Sequence, residues 1–133
     1  MGRIVLMAAL LFSFCFACDI DWQNSMSEAK KISAKTKKPI LLFVSSITCP
    51  YCTKMSNETL SDERVCKAIN AAFVPLSLLE DSADMPRSMR VQGVPTIAFI
   101  NSSEKEMMPR VIGFRNTNEF LADLAQRSKG SNK

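Results

Sequence analysis

Lys38-Pro39-Ile40-Leu41-Leu42-Phe43-Val44, followed four residues later by Cys49-Pro50-Tyr51-Cys52, is the stretch from which the fold is read. Residues 40–44 form an apolar run of strand length with no polar residue alternating within it. That pattern predicts a strand buried on both faces, as at the centre of an α/β sheet. Pro50 suits the first turn of a helix, where its missing N–H costs nothing, so a helix is expected from the cysteine motif to about Asn57.

Working outward, Ser25-Met26-Ser27-Glu28 has the spacing of a capping box and predicts a helix that ends before Pro39. Met26, Ala29, Ile32, Ser33 and Thr36 share one face of it, and Trp22 is expected to pack against it. Ser61 is read as the cap of a further helix burying Val65, Ile69 and Ala72. Residues 73–79 read as a strand, placed at a sheet edge by Pro75, which cannot donate to a central ladder. Gly93-Val94-Pro95 precedes the strand Thr96-Ile97-Ala98-Phe99-Ile100, and a turn at residues 101–104 leads into a last strand near 107–112. Pro109 places that strand at an edge too. Thr117 or Asn118 is expected to cap a closing helix with Phe120, Leu121 and Leu124 inward.

The chain has 133 residues, 47% hydrophobic and 23% charged, which fits one globular domain. Lys and Arg total 17 against 13 Asp and Glu, a spread excess of +4 that gives no ground for a nucleic-acid partner. There is no His. Ser-His-Asp and Cys-His catalysis, His-ligated metals and imidazole switches are thereby excluded.

Met1-Gly2-Arg3 and the apolar residues 4–17 match a signal peptide, too short to span ~30 Å of hydrocarbon comfortably. Residues 1–17 are read as that peptide and 18–133 as one domain, outside the cytosol in the periplasm or cell envelope. Cleavage after Ala17 would leave Cys18 first, where ordinary cleavage and lipid attachment are alternative readings.

Cys-x-x-Cys has two common meanings, half of a zinc site or a redox pair. Zinc would need further ligands from Cys18, Cys66 or carboxylates, none of them at short spacing. A pair that ends a buried strand and opens a helix in a βαβ context is the redox arrangement. Unpaired N–H groups at the helix start favour a thiolate on Cys49, and Cys52 lies one turn inside, within reach. Such a pair cycles between dithiol and disulfide without a cofactor. A metal chaperone holding copper or zinc on the pair is the rival reading, and a lipid-anchored interaction protein with a vestigial redox site is a third. Cys66 is read as a small semi-buried filler, with a regulatory partnership with Cys18 as the alternative. The eight Met are read as packing residues.

With these motifs in hand, the chain resembles the thioredoxin-fold superfamily, in particular small secreted bacterial thioredoxin-like proteins. The likeness covers about residues 22–127 and rests on residues 38–44 leading to Cys49-Pro50-Tyr51-Cys52, on Gly93-Val94-Pro95-Thr96, and on Gly113. It implies a thioredoxin-like α/β fold, a mixed sheet of four to five strands with helices on both faces. It also implies a monomeric thiol-disulfide oxidoreductase acting on protein thiols and disulfides, leaning reductant and recharged by a membrane electron donor. Cys49 and Cys52 would be catalytic, with Pro50, Tyr51, Val94 and a cis Pro95 meeting the substrate. Two departures stand out. Thioredoxins carry a buried acid six residues before the first Cys, where this chain has Phe43, and a Trp just before that Cys, where it has Thr48. Cys-Pro-Tyr-Cys matches glutaredoxins, but their Gly-Gly glutathione contact is absent, since Gly113 is followed by Phe114. No glutathione dependence is expected.

Overall fold

The computed structural model describes residues 17–130. Apart from Ala17, the signal-peptide segment lies outside the described residues. Helix α1 (Met26–Thr36) starts where the capping box predicts, with Ser25 Oγ accepting the Glu28 N–H at 3.1 Å. It stops at Lys37, whose left-handed φ of 63° returns its N–H to Ser33 O. The buried Ser33 hydroxyl then donates to Lys38 O at 2.6 Å and fixes the turn into β1 (Ile40–Ser45).

Next come α2 (Pro50–Lys54) with a π-helical continuation (Met55–Thr59), then α3 (Glu63–Ala72), β2 (Val74–Leu79), β3 (Thr96–Ile100), β4 (Glu106–Ile112) and α4 (Thr117–Gly130). The sheet order is β2-β1-β3-β4, with β1 parallel to β2 and the remaining pairs antiparallel. Both Pro-containing strands are therefore edges, as their missing N–H groups require. Gln23 closes the outer side of β2 with a single bridge, donating its N–H to Pro75 O at 2.9 Å.

Central β1 divides its side chains by the two-residue period of a strand. Leu41 and Phe43 join Ile97, Phe99, Phe120 and Leu124 on the face covered by the dithiol helix, α3 and α4. Ile40, Leu42 and Val44 join Ala98 and Ile100 on the opposite face, under α1 and the loop that carries Met89. Each of these buried Val, Leu, Ile and Phe side chains contributes about 1.5–3 kcal/mol of transfer free energy.

Three local readings are corrected. Trp22 packs on the first of these faces, 6.3 Å from the Phe43 ring, and not against α1, because the strap before α1 runs along the other side of the sheet. Asp62, not Ser61, caps α3, its Oδ1 accepting the Arg64 N–H at 2.9 Å, while the Ser61 hydroxyl bonds back to Asn57 O and finishes the preceding helical turn. Asn116, one residue before the expected cap, opens α4 by a reciprocal exchange with Glu119 at 2.9 and 3.0 Å. Among the described residues, no helix is long and apolar enough to cross a membrane.

Candidate functional site

Strand register brings three segments to one end of the sheet. Val44, at the C-terminal end of β1, pairs with Thr96 at the start of β3, and Thr96 pairs with Ile112 at the end of β4. The turn into Cys49, the Val94–Pro95 segment and the Gly113–Phe114 corner therefore meet there. Gly113 N–H donates to Pro95 O at 2.8 Å, and its φ of 86° is a backbone state that side-chain-bearing residues rarely adopt. The Val94–Pro95 peptide bond is cis, the geometry that the resemblance implies.

Cys49 is the N-cap of α2, with its side chain accepting the Cys52 N–H at 3.1 Å, and Pro50 fills the first helical position. A sulfur thus takes the place of the usual capping oxygen. The first turn of α2 holds no acidic residue to oppose a negative charge on that sulfur. Cys49 is partly exposed and Cys52 only 4% exposed, and the two are joined as a disulfide with Cα atoms 5.2 Å apart. Cys49 is thus the outer and Cys52 the inner sulfur of the pair.

Around the pair stand Tyr51, 61% exposed, and Ile47, 87% exposed in the turn before Thr48. Tyr51 leans on Phe114, ring centroids 6.4 Å apart, and the Lys54 ammonium lies 4.7 Å above the same Phe114 ring. Thr59, fully buried at the end of the π-helical turn, donates its hydroxyl to Arg115 O at 2.6 Å and ties the dithiol segment to the Phe114 corner. Ile47, Lys54, Thr59 and Phe114 were not singled out from sequence. Ile47 carried a signal, an aliphatic residue stranded between Ser46 and Thr48 outside any periodic run. The others have meaning only through the fold.

Phe43, at the position of the missing acid, is 3% exposed and belongs to the apolar core. Cys66 is corrected from filler to disulfide partner: it is bonded to Cys18, across 48 positions of sequence. In this structure the Cys18 sulfur is taken up by Cys66. Among the described residues, no group of three or more Cys, Asp or Glu side chains is arranged to hold a metal ion.

The family model described as a thioredoxin-like domain matches residues 26–128. The thiol:disulfide interchange protein DsbD of Actinobacillus pleuropneumoniae is 29% identical over 109 residues, covering 77% of this chain and 19% of that protein. The chain thus spans about a fifth of the curated relatives it first matches. The solution structure of a thioredoxin from Thermus thermophilus superposes with a TM-score of 0.70 at 30% identity, over 81% of this chain and 86% of that one. The oxidised C-terminal domain of Neisseria meningitidis DsbD gives a TM-score of 0.58 at 18% identity, over 75% and 90% of the two chains, a likeness of fold alone. With its Cys-x-x-Cys at the head of α2 and a family match over 26–128, the chain belongs to the thioredoxin-like domain family.

Proposed function

We propose that this thioredoxin-like thiol-disulfide oxidoreductase works outside the cytosol as a reductant of protein disulfides, with Cys49 attacking and Cys52 resolving. The observation that carries the reading is the asymmetry of the pair: a partly exposed sulfur capping the helix start, bonded to one that is almost wholly buried.

Starting from the dithiol, the Cys49 thiolate attacks a partner disulfide. One partner sulfur leaves as a thiolate and takes a proton, and Cys49 is held in a mixed disulfide. Cys52 then loses its proton and attacks the Cys49 sulfur. The second partner thiolate departs, and the pair is left oxidised, two electrons having passed to the partner. With Phe43 in the acid's position, the proton of Cys52 goes to water instead of a carboxylate in β1. Pro50 and Tyr51 flank the attacking sulfur, and the Val94–Pro95 backbone offers the second rail for an extended partner chain.

Location outside the cytosol is supported by the leader-like residues 1–17 and by the Cys18–Cys66 disulfide, a bond that persists in oxidising compartments. The names of the DsbD relatives support exchange with protein thiols, and a membrane electron donor that recharges the pair fits the reducing direction.

Insulin reduction by the purified chain tests the activity. Cys49→Ser is expected to abolish it, whereas Cys52→Ser should accumulate mixed disulfides with partners; an inactive Cys52→Ser with nothing trapped overturns the assignment. The redox state of the pair in cells tests direction. Cys49 and Cys52 found reduced support a reductant, and a pair found oxidised overturns that direction while leaving the exchange chemistry intact.

A further inference from the structure

Residues 17–24 form a strap ahead of α1, and several of its residues line a cleft. The cleft, of about 570 Å³, is walled on one side by Cys18, Ile20 and Trp22 and on the other by Phe43, Ser56 and Leu60. Ser56 lies one helical turn beyond Cys52, so the inner wall of the cleft is the dithiol segment itself.

The strap is fastened at few points. One is the Cys18–Cys66 disulfide. A second is the Asn70 side chain on α3, which donates to Asp19 O at 2.9 Å and accepts the Asp21 N–H at 3.0 Å. The third is the Gln23 bridge to β2. The same Asn70 Nδ2 also lies 3.6 Å from Cys66 Sγ and 3.8 Å from Cys18 Sγ. One amide therefore touches both sulfurs and holds the strap's backbone on either side of Ile20.

We propose that Cys18–Cys66 is a redox latch: its reduction by a protein dithiol releases residues 18–22 and opens the cleft against the dithiol helix, while the rest of the domain stays folded. The two sulfurs differ in access, which sets the direction of attack. Cys18 is partly exposed and Cys66 is 1% exposed, so an incoming thiolate reaches the Cys18 sulfur. The Cys18–Cys66 bond breaks and its electron pair leaves on Cys66 Sγ. There the Asn70 N–H stands ready as donor until water supplies a proton. The second thiol of the reductant attacks the mixed disulfide, releases Cys18 as a thiol and closes the reductant's own disulfide, a transfer of two electrons and two protons. With the cross-link gone, the strap is held by the Asn70 and Gln23 hydrogen bonds and by the partly buried Ile20 and Trp22 side chains on the core face.

Trp22 is the chain's one tryptophan and sits in the strap, so its emission reports the latch directly. The experiment uses the full chain carrying Cys15→Ser, Cys49→Ser and Cys52→Ser, which leaves Cys18 and Cys66 as its only cysteines. Dithiothreitol redox buffers titrate that pair while Trp22 emission, acrylamide quenching and far-UV circular dichroism are followed. The expected result is a red shift and a severalfold rise in quenching on reduction, reversed on reoxidation, with the dichroism unchanged. Adding Cys18→Ser and Cys66→Ser to that chain should give the open signature in every buffer. Trp22 shielding that survives reduction overturns the proposal, because the strap then holds without its cross-link. Dichroism lost together with the shielding also overturns it, because the bond is then a staple of the whole fold and not a latch.

Discussion

The Cys52→Ala chain, reduced at Cys49 with Cys18–Cys66 left closed, isolates the sulfur on which the proposed activity depends. Alanine keeps the residue 52 N–H that caps Cys49 Sγ at 3.1 Å and removes only the competing thiol. A hydrogen bond to a charged group contributes about 1.5–3 kcal/mol net, and a helix N-terminus adds about 0.3–1 kcal/mol. For a partly exposed sulfur the low end is appropriate, about 2 kcal/mol in favour of the thiolate. That multiplies the thiolate-to-thiol ratio by roughly 30 relative to a free cysteine. Stabilising a thiolate also softens it as a nucleophile, by a factor of about 5 for this shift. The two effects oppose each other differently across pH. Against a small aromatic disulfide in stopped flow, Cys49 should react about 3-fold faster than free cysteine at pH 7 and about 4- to 5-fold slower at pH 9.5, where both thiols are ionised. A crossover between those values is the signature of the cap. A rate that follows free cysteine at both pH values refutes the argument that the start of α2 activates this sulfur.

Thr59→Val removes one hydroxyl at nearly constant volume and leaves Arg115 O without its 2.6 Å donor. The expected loss is about 1–2 kcal/mol by urea unfolding at unchanged m-value, with a change in the Tyr51 environment as the Phe114 corner loosens. Removing the Cys18–Cys66 cross-link by Cys18→Ser with Cys66→Ser frees a loop of 48 positions in the unfolded chain and should lower stability by up to about 4 kcal/mol. A loss well above that value would mean that the native domain itself had changed. Asp62 gives a pH signature. Hydrogen bonding from the Arg64 side chain holds its carboxyl below the ordinary range. Its contribution is therefore complete above the unfolded-state value and lost as pH falls through the lower folded value, a trend that Asp62→Asn should flatten in acid titrations of Tm.

The unbroken apolar run at residues 40–44 announced its central place because a strand covered on both faces has no use for alternation. Pro75 and Pro109 announced the edges because each lacks the donor a central ladder needs. The dithiol was legible for a comparable reason: its chemistry depends on a short spacing at a strand-to-helix junction. What stayed hidden depends on distant contacts. Nothing local to Cys66 singles out Cys18 across 48 positions, so their partnership stood only as the alternative to a small semi-buried filler. Trp22 was assigned to the nearest helix in sequence, yet the bridge of Gln23 to the outer edge of β2 carries the strap to the other face. The caps of α3 and α4 each fell beside the expected residue. Ser61 and Asp62 compete for one role, as do Asn116 and Thr117, and which wins is settled by whether the neighbour has another partner: Asn57 O for Ser61, Glu58 O for the Thr117 hydroxyl.

The two disulfides divide the labour of the molecule by loop length. Cys49–Cys52 closes over 3 positions and Cys18–Cys66 over 48. In the chain-entropy treatment the first constrains the unfolded state by roughly 1.5–2 kcal/mol and the second by about 4 kcal/mol. Helix α2 and the turn before it already bring Cys49 and Cys52 together, through backbone hydrogen bonds from Cys49 N–H to Ser46 O and from Thr53 N–H to Cys49 O. Opening that pair thus changes little beyond the sulfurs, which suits a bond broken and remade at every turnover. The strap has no such scaffold of its own. Its position is set by a side chain of α3, a bond to α3, the Gln23 bridge to β2 and the packing of Ile20 and Trp22, so breaking that bond is felt as a displacement of chain, and as a change in stability, before it is felt as chemistry. A domain with typical stability of about 5–15 kcal/mol tolerates either opening and remains folded. The short bond, whose ends the helix already holds together, is therefore the one fitted to carry electrons, and the long one to set where the strap sits.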